Sequence, residues 1–128
     1  MDLLTSNSEL LLEKSLGFLW TKQAAVLDNI ANAETPNYRA KLVTFEEQVR
    51  AKLEQAGRGP QPRKSVRSTI EQSQFAVTEP AEVTRTDDNG VNITDQMVEL
   101  IRNAYQSQYV MQCISSNLTL VNTAVRGQ

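Results

Sequence analysis

Apolar residues recur at alternating steps of four and three in two stretches, one near each end of the chain. Because this spacing puts side chains on one face, it predicts two helices that pack on another helix, over residues 7–34 and 94–126. In the first helix the predicted packing positions are Leu12, Leu16, Leu19, Gln23, Val26, Ile30 and Ala33. In the second they are Leu100, Ala104, Ser107, Met111, Ile114, Leu118, Val121 and Val125.

The ends of both helices carry recognisable signals. Ser8 is predicted to cap the first helix, and Thr94 or Asn92 the second, because their side-chain oxygens accept hydrogen bonds from free backbone N–H groups. Pro36 is a poor helix-interior residue and pushes Thr35 toward extended geometry, so the first helix stops there. Asn37 suits a position with positive φ, which asparagine tolerates better than most residues.

The segment between the helices, residues 35–93, is predicted to be a turn followed by a solvated, partly irregular excursion. Residues 44–47 match a capping box and predict a short helix through about Gln55. Residues 57–62 break it, and one or two short strands are expected between Val66 and Val77. Further turns are expected at 79–80 and 87–90. The predicted fold is therefore mainly α: a single domain whose two long terminal helices form an antiparallel, coiled-coil-like hairpin.

The second helix has no charged residue from Asn103 to Val125. Its length would suit a transmembrane span, but its many amides and hydroxyls would be costly to bury in lipid. A lone helix in water, in turn, would be expected to carry charges on its outer face. The pattern favours a helix surrounded by neighbouring subunits, with an isolated hairpin of unusually neutral surface as the alternative. A two-helix hairpin has a thin core, so the free subunit is expected to be only marginally stable.

Composition argues against an enzyme and predicts no catalytic, metal-binding or cofactor-binding residues. Histidine, the commonest general base and metal ligand, is absent. The net charge of −2 gives no sign of a nucleic-acid partner. Cys113 is the only cysteine, so no disulfide can form within the chain. Adjacent carboxylates at 46–47 and 87–88 are interpreted as solvated surface. The basic residues Arg58, Arg63, Lys64 and Arg67 are interpreted as a solvated loop. The N-terminus lacks the basic start of a cleaved secretory signal.

The stretch that ends the first helix resembles the N-terminal signature of the flagellar rod, hook and hook–filament junction proteins. Its residues are Asn29, Ile30, Ala31, Asn32, Ala33, Glu34, Thr35, Pro36, Asn37 and Tyr38. Residues 88–97 resemble the second signature of this family, and Tyr105 and Tyr109 fall where the family commonly has a tyrosine in the helix. The two signatures cover about half of the chain. Asn37 replaces the usual glycine, and Gln96 stands where an acidic residue is common.

The resemblance implies a structural subunit of the proximal rod that polymerises helically through its terminal helices and transmits torque. It adds Met97 and Tyr105 to the predicted interface. Implied partners are further copies, FlgC-like rod subunits, a FliE-like adaptor, the MS ring and the flagellar type III export apparatus, without nucleic acid or a membrane span. The implied location is the basal body in the periplasm, reached without a cleaved signal. Alternatives are a FlgC-like role, a soluble coiled-coil adaptor and a type III secreted filament protein.

Overall fold

A computed structural model describes residues 6–58, 60–79 and 91–127, without the side chains of residues 46–48. The elements in chain order are α1 (Asn7–Ala31), β1 (Leu42–Thr44), α2 (Glu46–Gly57), α3 (Pro62–Gln72), β2 (Ala76–Thr78) and α4 (Ile93–Arg126). The two long terminal helices pack against each other, and the short elements lie between them in the chain. The predicted mainly α fold with a terminal helix hairpin is confirmed.

Contacts along the hairpin show that α1 and α4 are antiparallel. Leu19 of α1 lies opposite Asn103, whose Nδ2 donates to the Leu19 carbonyl oxygen at 3.0 Å. One turn further along α1, Lys22 lies opposite Glu99. Asn7, the first residue of α1, lies twelve positions before Leu19, so in this antiparallel register it lies opposite about residue 115 of α4. Beyond about residue 115, α4 therefore runs past the described part of α1.

The observed helix ends correct two of the predicted ones. Ser6, not Ser8, caps α1: its Oγ accepts from the Glu9 N–H at 3.2 Å, while the Glu9 carboxylate accepts from the Ser6 N–H at 2.9 Å. This reciprocal pair satisfies two free donors at once, which a cap at Ser8 could not do with Glu9. The helix also ends at Ala31 rather than at residue 34. Asn92 caps α4 as predicted, its Oδ1 accepting from the Thr94 N–H at 3.1 Å.

The segment between the terminal helices contains more helix than its sequence indicates. Residues 62–72 form α3, with Pro62 in its first turn, where the missing N–H of proline costs nothing. The strands expected between Val66 and Val77 are therefore wrong up to Gln72, and within that range a strand begins only at Ala76; it runs to Thr78 and pairs antiparallel with β1. Phe45 occupies the N-cap of α2 without a side-chain bond, so the predicted cap at Thr44 is wrong by one residue. The turns predicted at 79–80 and 87–90 fall on or next to residues outside the described ranges.

The core lies between α1 and this middle segment rather than between the long helices alone. The chain's three phenylalanines meet there, with ring centroids of Phe18 and Phe45 at 5.3 Å and of Phe45 and Phe75 at 5.5 Å. Gly17 permits this approach, since a Cβ at that position would lie 3.3 Å from Cζ of Phe75. The apolar face of α1 is therefore shared between two sets of neighbours, and the described residues cover α4 along one side only.

Candidate assembly interface

The chain reverses after α1 through a tight turn at residues 35–38. The Tyr38 N–H donates to the Thr35 carbonyl at 3.3 Å, and Asn37 has φ of 59°. Proline at the second position and positive φ at the third match a type II turn. Among the described residues, Asn37 is the only non-glycine residue with positive φ, as the sequence predicted for it.

Asn32 connects the end of α1 to this turn. Its Nδ2 donates to the Asp28 carbonyl at 2.9 Å, and its Oδ1 accepts from the Thr35 hydroxyl at 3.3 Å. The Asp28 carbonyl also accepts from the backbone N–H of Asn32 at 3.1 Å, so two bonds hold Asn32 against the last turn of α1. Asn32 and Thr35 thus fix where α1 ends and how the next segment leaves it.

Asn29, which is only 1% exposed, joins three parts of the molecule. Its Nδ2 donates to the Lys41 carbonyl at 2.9 Å and to Oε1 of Gln96 at 3.0 Å. Its Oδ1 accepts from the Lys41 N–H at 2.7 Å and from the Tyr38 hydroxyl at 3.2 Å. All four bonding positions of this amide are occupied. The end of α1, the returning chain and the start of α4 are held together at one buried side chain.

Ion pairs reinforce the same end of the hairpin. Lys22 on α1 and Glu99 on α4 pair at 2.9 Å, and both side chains are less than one-third exposed. The hydrogen bond from Lys22 is the main reason that the pKa of Glu99 is lowered, against the opposing effect of partial burial. Arg102 adds a second bond to Glu99 at 2.7 Å. At the turn, the hydrogen bond and charge of Asp28 raise the pKa of Lys41.

The side of α4 that contacts α1 is more polar than predicted. Buried and half-buried residues on α4 follow the four-three spacing at 96, 100, 103, 107, 110, 114 and 117. Leu100, Ser107 and Ile114 belong both to this stripe and to the predicted packing positions. At the predicted positions 104, 111 and 118, the preceding residues 103, 110 and 117 lie in the stripe instead. Three of its seven members carry amides: Gln96, Asn103 and Asn117. A prediction that selects only apolar residues as packing positions cannot identify a stripe that contains three amides.

Three buried polar atoms on this part of α4 have no hydrogen-bond partner among the residues that the structure describes. They are Oδ1 of Asn103, Oε1 of Gln106 and Oγ of Ser107. Asn103 is fully buried and Ser107 is 8% exposed. Because a buried polar atom without a partner destabilises the fold, the contact between α1 and α4 is weaker than its length suggests.

The exposed surface of α4 carries many large apolar side chains between its polar ones. Of the fifteen large hydrophobic side chains that are exposed in the described part of the chain, eleven belong to α4. From Leu118 to Gly127 every residue is exposed. Exposed apolar side chains concentrated on one helix are typical of an interaction surface.

The predicted site residues fall into several environments. In α1, Leu19 and Val26 are buried, as is Ala33 just after the helix, while Leu12, Leu16, Gln23 and Ile30 are half-buried. In α4, Ser107 is buried, Leu100 and Ile114 are half-buried, and Met97, Ala104, Tyr105, Met111, Leu118, Val121 and Val125 are exposed. Of the turn motif, Asn29 is buried, Asn32 and Tyr38 are half-buried, and Ala31, Thr35, Pro36 and Asn37 are exposed. The structure therefore assembles the turn motif around Asn29 and leaves much of the predicted α4 seam uncovered.

The described residues offer little for cofactor or metal chemistry. They contain no cluster of three or more His, Cys, Asp or Glu side chains that could hold a metal ion. In the same part of the chain, no helix combines the length and apolar character needed to cross a bilayer. Cys113 is a half-buried free thiol. What the arrangement does offer is a stiff, neutral helix with an uncovered apolar surface.

Comparison with known proteins points to one kind of relative. Three curated proteins, each described as flagellar basal body rod protein FlgB, are similar to this chain. Those of Bacillus subtilis (strain 168) and Aquifex aeolicus (strain VF5) are each 24% identical, over 117 and 119 residues that cover 91% and 92% of both chains. That of Aeromonas hydrophila is 25% identical over 112 residues, 84% of this chain and 85% of its own. No family model matches the sequence. The similarity of nearly the whole chain to three basal body rod proteins supports a flagellar rod structural protein of the FlgB kind.

Proposed function

We propose that this protein is a structural subunit of the flagellar proximal rod, related to FlgB, that assembles helically through its terminal helices. The observation that carries the proposal is the surface of α4: long, free of charge from Asn103 to Val125, and apolar on the sides that α1 leaves uncovered. Burying that surface between neighbours would supply the stability that the polar hairpin contact lacks.

The turn motif has a clear role in such a subunit. Asn29 fixes the chain that leaves α1 to the start of α4, so the middle segment departs from the hairpin in a set direction. In a helical assembly this separates a packed inner layer of terminal helices from the outer segment formed by α2, α3 and the two strands. Because many side chains of each subunit would interlock with its neighbours, twisting the assembly would be resisted by packing along whole helices.

The proposed partners follow from this role. They are further copies of this chain, FlgC-like rod subunits, a FliE-like adaptor and the MS ring at the base of the rod. The flagellar type III export apparatus would deliver the subunit to the periplasm. The relatives are basal body rod proteins rather than enzymes, which agrees with a role that needs no catalytic site.

Fractionation of basal bodies tests the proposal. The gene is deleted in its own host and restored with the wild-type chain or with Leu118→Asp, which places a charge on the uncovered face of α4. We expect the deletion strain to be non-motile, the wild-type chain to restore swimming and to be present in purified basal bodies, and Leu118→Asp to be made but absent from them. A motile deletion strain, or a stable dimer of the chain that never enters basal bodies, would favour a soluble adaptor instead.

A further inference from the structure

An open groove lies between α1, α2 and α4. Its volume is about 750 Å³, and its walls are largely apolar, with Leu11, Phe18, Leu53 and Tyr109 among the lining residues. Its two charged residues, Arg50 and Glu54, are paired with each other at 3.3 Å. An occupant of this groove should therefore be apolar and uncharged.

The groove also contains an unmet demand for a hydrogen-bond donor. Gln106 lines it, and Oε1 of this residue is buried without a partner. This oxygen has almost no exposed surface, so an amide or hydroxyl of an entering helix would bond it only after the Gln106 side chain turns toward the groove. The ideal occupant combines an apolar stripe with neighbouring amides or hydroxyls and no charge.

The distal end of α4 has this composition. Leu118, Val121 and Val125 lie at helical spacing on one face and are all exposed. Asn117 and Asn122 flank that stripe and carry amide donors. No charged residue lies between Asn103 and Val125. Every residue from Leu118 to Gly127 is exposed, so this end of α4 is available for contact with another molecule.

The end of α4 cannot fill the groove of its own chain. Tyr109 and Gln106 belong to the groove wall, and α4 continues from them as one uninterrupted helix to Arg126. Leu118 lies nine residues beyond Tyr109, which corresponds to about 14 Å along the helix axis and away from the groove. The occupant must come from a second molecule.

We propose that the groove between α1, α2 and α4 receives the distal end of α4, residues 118–125, from a second copy of this chain. The two surfaces differ, so the contact is head-to-tail, and its repetition builds an open chain of subunits. The inference rests on the proposed assembly role, since it specifies how one subunit contacts the next.

Paired charge substitutions test the contact. Tyr109→Asp alters the groove and Leu118→Asp alters the end of α4; both residues are more than half exposed, so the fold should tolerate them. The matched controls Gln108→Asp and Thr119→Asp add the same charge one position away, about 100° around the helix. By sedimentation velocity, we expect self-association to weaken at least about tenfold in the first two variants, because each puts a charge into an apolar contact. The controls should associate like the wild type.

Mixing the two defective variants gives the decisive result. Tyr109→Asp retains an intact α4 end and Leu118→Asp retains an intact groove, so the mixture should form a 1:1 heterodimer that neither variant forms alone. The wild type should form longer chains at the same concentration. Absence of the heterodimer, equal weakening in the controls, or a wild type that does not associate would overturn the proposal.

Photo-cross-linking tests the same contact in an otherwise unchanged chain. A photoreactive amino acid replaces Arg50 at the rim of the groove, and this chain is mixed with ¹⁵N-labelled wild type. Trypsin releases residues 103–126 as one peptide, because no Lys or Arg lies between its ends. We expect a cross-link to ¹⁵N-labelled residues 118–125. Cross-links elsewhere, or only to the same chain, would contradict the docking while leaving the rod assignment to the basal-body fractionation.

Discussion

The buried side chain of Asn29 donates a hydrogen bond of 3.0 Å to Oε1 of Gln96, which lies 67 positions later in the chain. This bond joins the last turn of α1 to the first turns of α4. The same amide also binds the backbone of Lys41 through two bonds. One residue thus determines both the register of the hairpin and the path of the segment that leaves it.

Replacing Asn29 should destabilise the isolated chain strongly. Asn29→Ala removes four hydrogen bonds and leaves the Lys41 N–H and the Gln96 side chain without their partner, so the free energy of unfolding should fall by about 2–4 kcal/mol. Urea denaturation followed by circular dichroism measures this. The control Asn122→Ala, at an exposed position of α4, should change the value by less than about 0.5 kcal/mol. Equal changes in the free energy of unfolding for the two substitutions would show that the hydrogen bonds of Asn29 do not hold the hairpin together.

The turn at Asn37 should depend on the left-handed backbone rather than on the side chain. Asn37→Gly relieves the constraint and should leave the free energy of unfolding within about 0.5 kcal/mol of the wild type. Asn37→Val should lower it by about 1–2 kcal/mol, because a β-branched residue strains at positive φ. The same urea titration compares the two. A valine variant as stable as the glycine variant would show that the turn adopts another conformation.

Protonation of Glu99 should lower the free energy of unfolding as the pH becomes acidic. Its pKa is lowered in the folded chain, so its contribution is complete above the unfolded-state value of 4.5 and is lost as the pH falls through the lower folded-state value. Because the pair with Lys22 is partly exposed, the contribution should not exceed about 1 kcal/mol. Glu99→Gln should therefore destabilise the chain at pH 7 and reduce the loss of stability on acidification.

The control for this experiment is Glu13→Gln, which alters an exposed carboxylate on α1. It should leave the pH profile of unfolding close to that of the wild type. Added salt should also narrow the difference between wild type and Glu99→Gln at pH 7, because ions screen a partly exposed pair. A Glu99→Gln variant with an unchanged acid limb would contradict the assigned role of this pair.

Ser107 offers a stabilising substitution. Its Oγ is buried between α1 and α4 without a partner, so Ser107→Ala removes an unpaired polar atom and improves helix propensity. Thermal and urea unfolding should show a gain of about 1 kcal/mol. Ser116→Ala, at an exposed position of the same helix, gains only the propensity and should stabilise by less than about 0.5 kcal/mol. A loss of stability in Ser107→Ala would show that the hydroxyl is bonded in solution.

Periodicity predicted the two long helices and the hairpin because long amphipathic stretches have few alternative structures. Local chemistry likewise predicted the backbone at Asn37, which depends only on Pro36 and the following turn. The same local rules failed for α3, where Pro62 was interpreted only as a helix breaker, although proline also suits the first turn of a helix.

The packing stripe of α4 could not be predicted from its own sequence. Asn103 is buried, while Met111 and Leu118 are exposed. Phe45 and Phe75 from the middle segment pack on Phe18 of α1 and so occupy part of its apolar face. That arrangement depends on tertiary contacts between residues far apart in the chain. The four bonds of Asn29 escaped notice for the same reason, although an asparagine among apolar helix positions was a usable signal.

The central claim is that neighbouring subunits cover the exposed face of α4 in the flagellar rod. Leu118→Cys, in a chain that also carries Cys113→Ser, places the only thiol on that face, and Arg58→Cys in the same background provides a control on the middle segment. Maleimide labelling is compared between the purified chain and intact basal bodies isolated from cells that swim with each variant. We predict that position 118 reacts rapidly in the free chain and is protected in basal bodies, while position 58 reacts in both. Equal reactivity of position 118 in the free chain and in basal bodies would contradict the claim.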